Sequence, residues 1–204
     1  MLKLKICGLK DPDNVKAVAE LHPDYMGFIF YKNSPRYVGD SFSLPDVYDV
    51  SASVGVFVNE SKGEILNRLQ SIKSNIAQLH GTERPSLCDE LRSRGVEVVK
   101  VFSVDDDFDF EATKQYEDVS DYFLFDTKGK LHGGNAKTFN WIKLAEYDQK
   151  VPFFLSGGLN SDNLKQIRIL DDMNLYALDL NSGVEDAPGL KNIDKIKSVI
   201  SCLK

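Results

Sequence analysis

Two polar residues each end a short apolar run. Cys7 closes LKIC and precedes Gly8, and Asp126 closes YFLFD. A partly exposed thiol near cations has the lowered pKa that a general base requires. A carboxyl group among apolar side chains tends to stay protonated near neutral pH, which suits a general acid. The pair therefore predicts acid and base catalysis, although a cysteine that only packs and an aspartate that only caps a helix or turn fit the same positions.

Two glycine-containing segments predict an anion site. SGGLNSDN occupies 156–163 and NSGVEDAPG occupies 181–189. Glycines let backbone amides crowd around an anion, so a phosphate group is the expected ligand. Either segment alone could also be an ordinary turn. The residues expected to contact the phosphate are Gly157, Gly158, Asn181, Ser182 and Gly183.

Arg36 and His80 are candidates for binding a substrate. Arg36 follows Pro35 in YKNSPRYV, and a loop stiffened by proline suits a guanidinium group that clamps a carboxylate. His80 ends the run IAQLH, where it can hydrogen-bond a substrate. A solvated surface arginine and a structural histidine are the alternatives. No metal site is expected, because the histidines are isolated and form neither HxH nor HExxH.

The apolar runs recur along the whole chain and indicate the elements that position these residues. They are LKIC, MGFIF, VGVFVN, IAQLH, VVKVFS, YFLFD, PFFLS and YALDLNS. Segments with helical spacing separate most of them, such as 11–21 and 162–170, so the repeat is a strand and then a helix. Eight such units predict one small (β/α)8 TIM barrel over residues 1–204, as a single domain.

An open dinucleotide-binding sheet is disfavoured, because CGLKDP lacks the GxGxxG that would follow its first strand. The weakest predicted elements are the second helix, interrupted by Pro45, and a short sixth helix around 141–147.

A barrel would gather the polar strand ends at one rim, where barrel enzymes carry their active sites. The two glycine segments follow the seventh and eighth runs, and barrels often bind phosphate there. Alternation along the strands turns Lys5 inward with Cys7, and Asp179 inward with Asn181. Because the first and last strands are neighbours in a closed barrel and buried charges need partners, we predict that Lys5 pairs with Asp179. Asp179 is also a candidate for binding the substrate.

Composition restricts the classes of partner. The net charge of -6 and the pI near 5.1 argue against binding nucleic acid, so a small molecule is the expected partner. The three cysteines form no CxxC and predict thiols in a reducing compartment, which fits the cytoplasm. The N-terminus contains no uninterrupted apolar stretch, so neither a signal peptide nor a membrane span is expected. We expect a monomer or a weak homodimer.

In their joint order, eight motifs resemble those of the phosphoribosylanthranilate isomerase family over nearly the whole chain. The motifs are KICGLKDPDN (5–14), GFIFYKNSPRYV (27–38), VGVFVNE (54–60), QLHG (78–81), LFDTK (124–128), GGNAKTFNW (133–141), FFLSGGLNSDN (153–163) and LDLNSGVEDAPGLKN (178–192). The resemblance implies an Amadori rearrangement of N-(5-phosphoribosyl)anthranilate to 1-(2-carboxyphenylamino)-1-deoxyribulose 5-phosphate in tryptophan biosynthesis, without a cofactor or metal.

The resemblance also implies roles for individual residues. The cysteine of KICG is the general base and the aspartate of LFDTK is the general acid. Arg36 holds the anthranilate carboxylate, and backbone amides of the two glycine segments hold the phosphate. The chain departs from the expected GGTGKTFDW-like loop at Asn135, Ala136 and Asn140, which puts the flexibility of this loop in doubt.

Two other classes of function compete with this hypothesis. One is another phosphosugar barrel enzyme, such as an indole-glycerol-phosphate synthase, a pentose-phosphate epimerase or a histidine-pathway isomerase. These enzymes would share the phosphate loops but would not need Cys7, Asp126 and Arg36 together. The other is a barrel that binds phosphosugars without catalysis, which turnover by the purified protein would exclude.

Overall fold

The computed structural model describes residues 2–45, 51–127 and 140–203, and its centre is a closed barrel of eight parallel strands. The strands are β1 (Lys3–Cys7), β2 (Tyr25–Ile29), β3 (Ala52–Phe57), β4 (Ile76–Leu79), β5 (Glu97–Val104), β6 (Tyr122–Thr127), β7 (Phe153–Leu155) and β8 (Leu175–Leu180). β1 pairs with β8, so the barrel closes as predicted. Each strand coincides with one of the eight apolar runs, which confirms the predicted fold class.

The strands are apolar on both faces because both faces are covered. The side chains that fill the barrel interior come from alternate positions of the strands and include Val54, Val99, Leu124 and Phe154. The opposite faces contribute to a larger core under the surrounding helices, with Phe28, Phe57 and Phe123 fully buried. Burial on both sides is typical of parallel sheets.

The described residues form four α-helices around the barrel: α1 (Pro12–Ala19), α2 (Lys62–Ser71), α3 (Pro85–Arg92) and α4 (Ile193–Cys202). Capping residues and a proline mark the N-termini of these helices. The Asp11 side chain accepts from the Asn14 N–H, Ser61 caps α2 in the same way, and Asn192 caps α4. Pro85 occupies the first turn of α3, where its missing N–H costs nothing.

Several of the predicted helices are 3₁₀ segments instead. These are Phe110–Val119, Trp141–Glu146 and Leu164–Leu170. The described chain between β2 and residue 45 contains no helix, so the predicted second helix is not found there, and 46–50 lie outside the described residues. The loop departure at Asn135 and Ala136 also lies outside them.

A short antiparallel pair follows β8 and lies beside the rim. β9 (Glu185–Ala187) pairs with β10 (Leu190–Lys191), after a 3₁₀ turn at Ser182–Val184. The Asn14 side chain donates to the Lys191 carbonyl (2.8 Å) and accepts from the Lys191 N–H (2.8 Å), which ties β10 to α1. Across the described part of the chain, no helix has the length and apolar character needed to cross a membrane.

Candidate active site

A solvent-open cleft lies at the carboxyl ends of the strands. Most of the predicted site residues line it: Cys7, His80, Asp126, Gly157, Gly158, Asp179, Asn181 and Ser182. Arg36 and Gly183 are absent from its lining. The polar ends of five different strands therefore meet at one rim, as barrel geometry predicts.

Cys7 ends β1 and is almost completely buried, with 3% of its surface exposed. The absence of a side chain at Gly27 makes room for the thiol, since a Cβ there would lie 2.8 Å from Sγ. Burial raises the pKa of Cys7, and the nearby ammonium groups of Lys5 and Lys191 offset only part of that effect. The structure therefore contradicts the expectation of a partly exposed thiol with a lowered pKa.

The predicted Lys5–Asp179 pair is confirmed. The two residues are register partners on β1 and β8, and Lys5 Nζ donates to Asp179 Oδ2 at 2.9 Å. Burial lowers the pKa of Lys5, but attraction to Asp179 and to Cys7 outweighs burial and leaves it raised. The second oxygen, Asp179 Oδ1, is buried and has no hydrogen-bond partner among the described residues. A charged ammonium group therefore lies next to the thiol, and Asp179, one of the residues that line the cleft, keeps one carboxylate oxygen without a partner among the described residues.

Asp126 lies one residue before the end of the apolar β6 and is 3% exposed. Its Oδ1 accepts from the backbone N–H of Thr127 at 2.9 Å. Its Oδ2 lies 3.4 Å from Nε2 of His80, the residue that follows β4, so the two side chains are in direct contact. The carboxyl group is thus held in one orientation at the cleft, on a different strand from Cys7.

Arg36 binds a carboxylate within the protein. Its Nε donates to Glu185 Oε1 (2.9 Å) and its Nη2 donates to Oε2 (2.7 Å). Lys191 Nζ also donates to Glu185 Oε1, at 2.6 Å. Burial raises the pKa of Glu185, but bonding to these two cations outweighs burial and lowers it. Burial lowers the pKa of Lys191 to about 8 despite its contact with Glu185. The bonds to Glu185 therefore fix the Nε–Nη2 edge of the Arg36 guanidinium group.

The two glycine segments approach each other closely. Gly157 has φ +93°, and a Cβ there would collide with the Thr127 side chain. A Cβ at Gly183 would collide with the carbonyl oxygen of Leu159, which belongs to the other segment. Glycine at 183 therefore allows the loops after β7 and β8 to lie against each other, and glycine at 157 allows the loop after β7 to lie against the end of β6.

Comparison with known proteins agrees with this arrangement. The model of the N-(5'-phosphoribosyl)anthranilate (PRA) isomerase family matches residues 4–202. The chain belongs to this family. N-(5'-phosphoribosyl)anthranilate isomerases of Phocaeicola vulgatus and Parabacteroides distasonis are 41% and 40% identical to it, covering 98% and 97% of this chain and 97% and 91% of the relatives.

Solved structures of PRA isomerases share the fold. The enzyme of Thermotoga maritima is 32% identical, with a TM-score of 0.85, and the alignment covers 99% of this chain and 98% of that chain. A second structure, in complex with reduced 1-(o-carboxyphenylamino)-1-deoxyribulose 5-phosphate, is 33% identical with a TM-score of 0.81, over 98% and 97% of the two chains. Membership in the PRA isomerase family decides against the other phosphosugar barrel enzymes named above.

Sequence reasoning missed several residues of this PRA isomerase site. Gln78, Tyr31 and Ser34 also line the cleft. For Gln78 a signal existed, because alternation places it on the same inner face as His80. For the pairing of Glu185 with Arg36 there was none, since 149 residues separate them along the chain.

Proposed function

We propose that this PRA isomerase converts N-(5-phosphoribosyl)anthranilate into 1-(2-carboxyphenylamino)-1-deoxyribulose 5-phosphate, with Asp126 as general acid and Cys7 as general base. The observation that carries the proposal is that both groups line one cleft, beside a glycine-built wall and a fixed guanidinium group. The product analogue in the solved relative supports a ligand of this size and chemistry.

The reaction begins at the ring oxygen of the ribose. Asp126 gives its proton to that oxygen, the bond from the oxygen to C1 breaks, and the nitrogen lone pair forms a C1=N bond. The Cys7 thiolate then removes the proton from C2, the C2–H electrons form a C1=C2 bond, and the C1=N electrons return to nitrogen. The resulting enolamine loses its hydroxyl proton and gains a proton at C1, which yields the ketone.

The charges around Cys7 suit this sequence of steps. The thiol must ionise although burial opposes ionisation, and the Lys5 ammonium group provides the nearest compensation. Asp179 keeps Lys5 charged, and its unpaired Oδ1 is an acceptor for a hydroxyl group of the substrate. Asp179 would therefore bind Lys5 through Oδ2 and a hydroxyl group of the substrate through Oδ1.

Anchoring both ends of the substrate fixes the reacting carbons between them. We assign the phosphate to the wall formed by Gly157, Gly158, Asn181, Ser182 and Gly183. We assign the anthranilate carboxylate to Arg36. Glu185 bonds Nε and Nη2, so the carboxylate would approach the Nη1 side of the fork.

Turnover by the purified protein tests the proposal. Freshly prepared N-(5-phosphoribosyl)anthranilate should be converted to the ketone, identified by NMR of the ribulose carbons. The N-phenyl analogue without the carboxylate is the matched control, and it should be converted with a higher KM. Absence of turnover on the full substrate by folded protein would reject the assignment.

The oligomeric state and the location are separate proposals. A solved structure from Thermotoga maritima, 32% identical with a TM-score of 0.80, concerns monomers derived from a dimeric PRA isomerase. We propose a monomer or a weak homodimer for this chain, acting in the cytoplasm as one catalytic domain. Sedimentation over a range of protein concentrations would test the assembly, and a stable dimer at nanomolar concentration would contradict it.

A further inference from the structure

A line of buried side chains crosses the barrel from Lys5 to Asp126. Lys5 Nζ lies 2.6 Å from Gln78 Oε1, Gln78 Nε2 lies 3.3 Å from His80 Nδ1, and His80 Nε2 lies 3.4 Å from Asp126 Oδ2. Lys5 and Gln78 are each 1% exposed. The line connects the surroundings of the proposed base to the proposed acid.

The chemistry of each group fixes the direction of every contact. An ammonium group only donates, so the Gln78 atom that faces Lys5 must be the amide oxygen. The amide nitrogen then faces His80, and because an NH₂ group only donates, His80 Nδ1 must accept. The ring proton therefore resides on Nε2, directed at the Asp126 carboxyl group.

We propose that Gln78 is a positioning residue that holds His80 as the Nε2–H tautomer, so that His80 donates to Asp126 as Asp126 gives up its proton. This inference rests on the proposed function of Asp126. The carboxylate left after proton transfer receives Thr127 N–H on Oδ1, and it receives His80 Nε2–H on Oδ2. The distance of 3.4 Å is long, and catalytic hydrogen bonds often shorten when substrate binds.

Gln78 is not required to balance the charge of Lys5. Asp179 already does so at 2.9 Å, and apolar side chains fill most of the neighbouring inner positions. An amide accepts through its oxygen and donates through its nitrogen. Gln78 can therefore accept from Lys5 on one side and donate to His80 on the other, which an apolar residue cannot do. The N–H that Gln78 donates makes His80 Nδ1 an acceptor and so leaves the ring proton on Nε2.

The tautomer can be measured directly in the substrate-free protein. Protein labelled with ¹⁵N-histidine gives distinct ring nitrogen shifts for the two tautomers, and the His80→Gln variant identifies the His80 signals. We expect a protonated Nε2 and an unprotonated Nδ1 in the wild type. A proton on Nδ1 would overturn the proposal, whether or not any variant folds.

The Gln78→Glu variant reverses the chemistry at constant size. A carboxylate accepts from both sides, so it should place a proton on His80 Nδ1, and kcat should fall by about 10-fold to 100-fold with a smaller change in KM. Gln78→Met is the matched variant that keeps the volume but does not select a tautomer, and its loss of kcat should be smaller. Full kcat in Gln78→Glu with the proton moved to Nδ1 would overturn the proposed role.

Substitution of His80 itself provides a rescue test. Glutamine places an amide N–H near the position of Nε2, whereas asparagine places one near Nδ1. His80→Gln should therefore retain about tenfold more kcat than His80→Asn, and equal or reversed values would overturn the proposal. Failure of the proposed function would instead appear as no isomerisation by the wild type, which leaves the tautomer measurement unaffected.

Discussion

The two ends of the barrel are built from the same eight strands and differ in the groups that they present. At the carboxyl ends a thiol, two carboxyl groups and an imidazole line an open cleft. At the amino ends Tyr25, Tyr122 and Tyr176 close the barrel over Phe154, with Tyr122 and Tyr176 ring centroids 4.5 Å apart. At the carboxyl end Asp179 Oδ1 has no hydrogen-bond partner among the described residues, whereas at the amino end the hydroxyl groups of Tyr25 and Tyr176 bond each other. Changes at the first should alter turnover, and changes at the second should alter stability.

Asp126→Asn should produce a loss of turnover as large as any single substitution in the cleft. An amide cannot donate the proton that opens the ring, so kcat should fall by roughly 10²–10⁴-fold. The free energy of unfolding should change little, because Asn can still accept the Thr127 N–H. Steady-state kinetics together with chemical denaturation measure both quantities. Substantial residual turnover would mean that another group is the acid.

Phosphate binding should stabilise the protein through the carboxyl end alone. Inorganic phosphate at about 100 times its Kd adds roughly 2.7 kcal/mol to the free energy of unfolding if only the native state binds it. Gly183→Ala should lose this increment, because the new Cβ meets the Leu159 carbonyl. Gly63→Ala in α2 is the control, since a Cβ there has no atom within 4 Å. If phosphate still raised the free energy of unfolding of Gly183→Ala by the same amount, the phosphate site would lie elsewhere.

The pH dependence of kcat/KM should report the buried thiol. Burial raises the pKa of Cys7 above its usual value near 9, and the reactive form is the thiolate. Below that pKa, kcat/KM should therefore rise by about tenfold per pH unit, because each unit multiplies the thiolate fraction by that factor. Residual turnover in Cys7→Ala should lack this limb. If the limb persists in that variant, it belongs to another group.

Tyr176→Phe should have the smallest effect, and only on stability. It removes the hydrogen bond between the hydroxyl groups of Tyr176 and Tyr25, which are 2.9 Å apart. The free energy of unfolding should fall by about 0.5–1.5 kcal/mol, with kcat and KM unchanged. Thermal unfolding with kinetics on the same sample checks this. A loss of turnover here would break the proposed division between the two ends.

The sequence predicted strands and strand ends more accurately than the surroundings of the site. Apolar runs must be buried wherever they pair, so the run ending at Cys7 predicts β1 without knowledge of its neighbours. The Lys5–Asp179 pair followed from alternation and closure. Helix type was less accessible, because a seven-residue run such as Leu164–Leu170 has similar spacing in a 3₁₀ and an α-helix.

The features that the sequence did not reveal are contacts between distant parts of the chain. Burial of the Cys7 thiol depends on packing by other strands, which no local pattern shows. The carboxylate-binding role of Arg36 stays a proposal, but the ion pair with Glu185 that orients its guanidinium group could not be predicted, because Glu185 is far away in sequence. The polarity of Gln78 was visible, whereas its contacts with Lys5 and His80 required the strand register.

A comparison of Cys7→Ala with Cys88→Ala tests the central claim most directly. Both cysteines are buried, but Cys88 lies in α3 and packs in the outer core, where burial raises its pKa to about 11. We predict that Cys7→Ala lowers kcat by about 10²–10⁴-fold while the protein stays folded. Cys88→Ala should lose about 1 kcal/mol of stability and keep its kcat. Near-normal turnover of N-(5-phosphoribosyl)anthranilate by folded Cys7→Ala would remove the thiol from the mechanism and contradict the account.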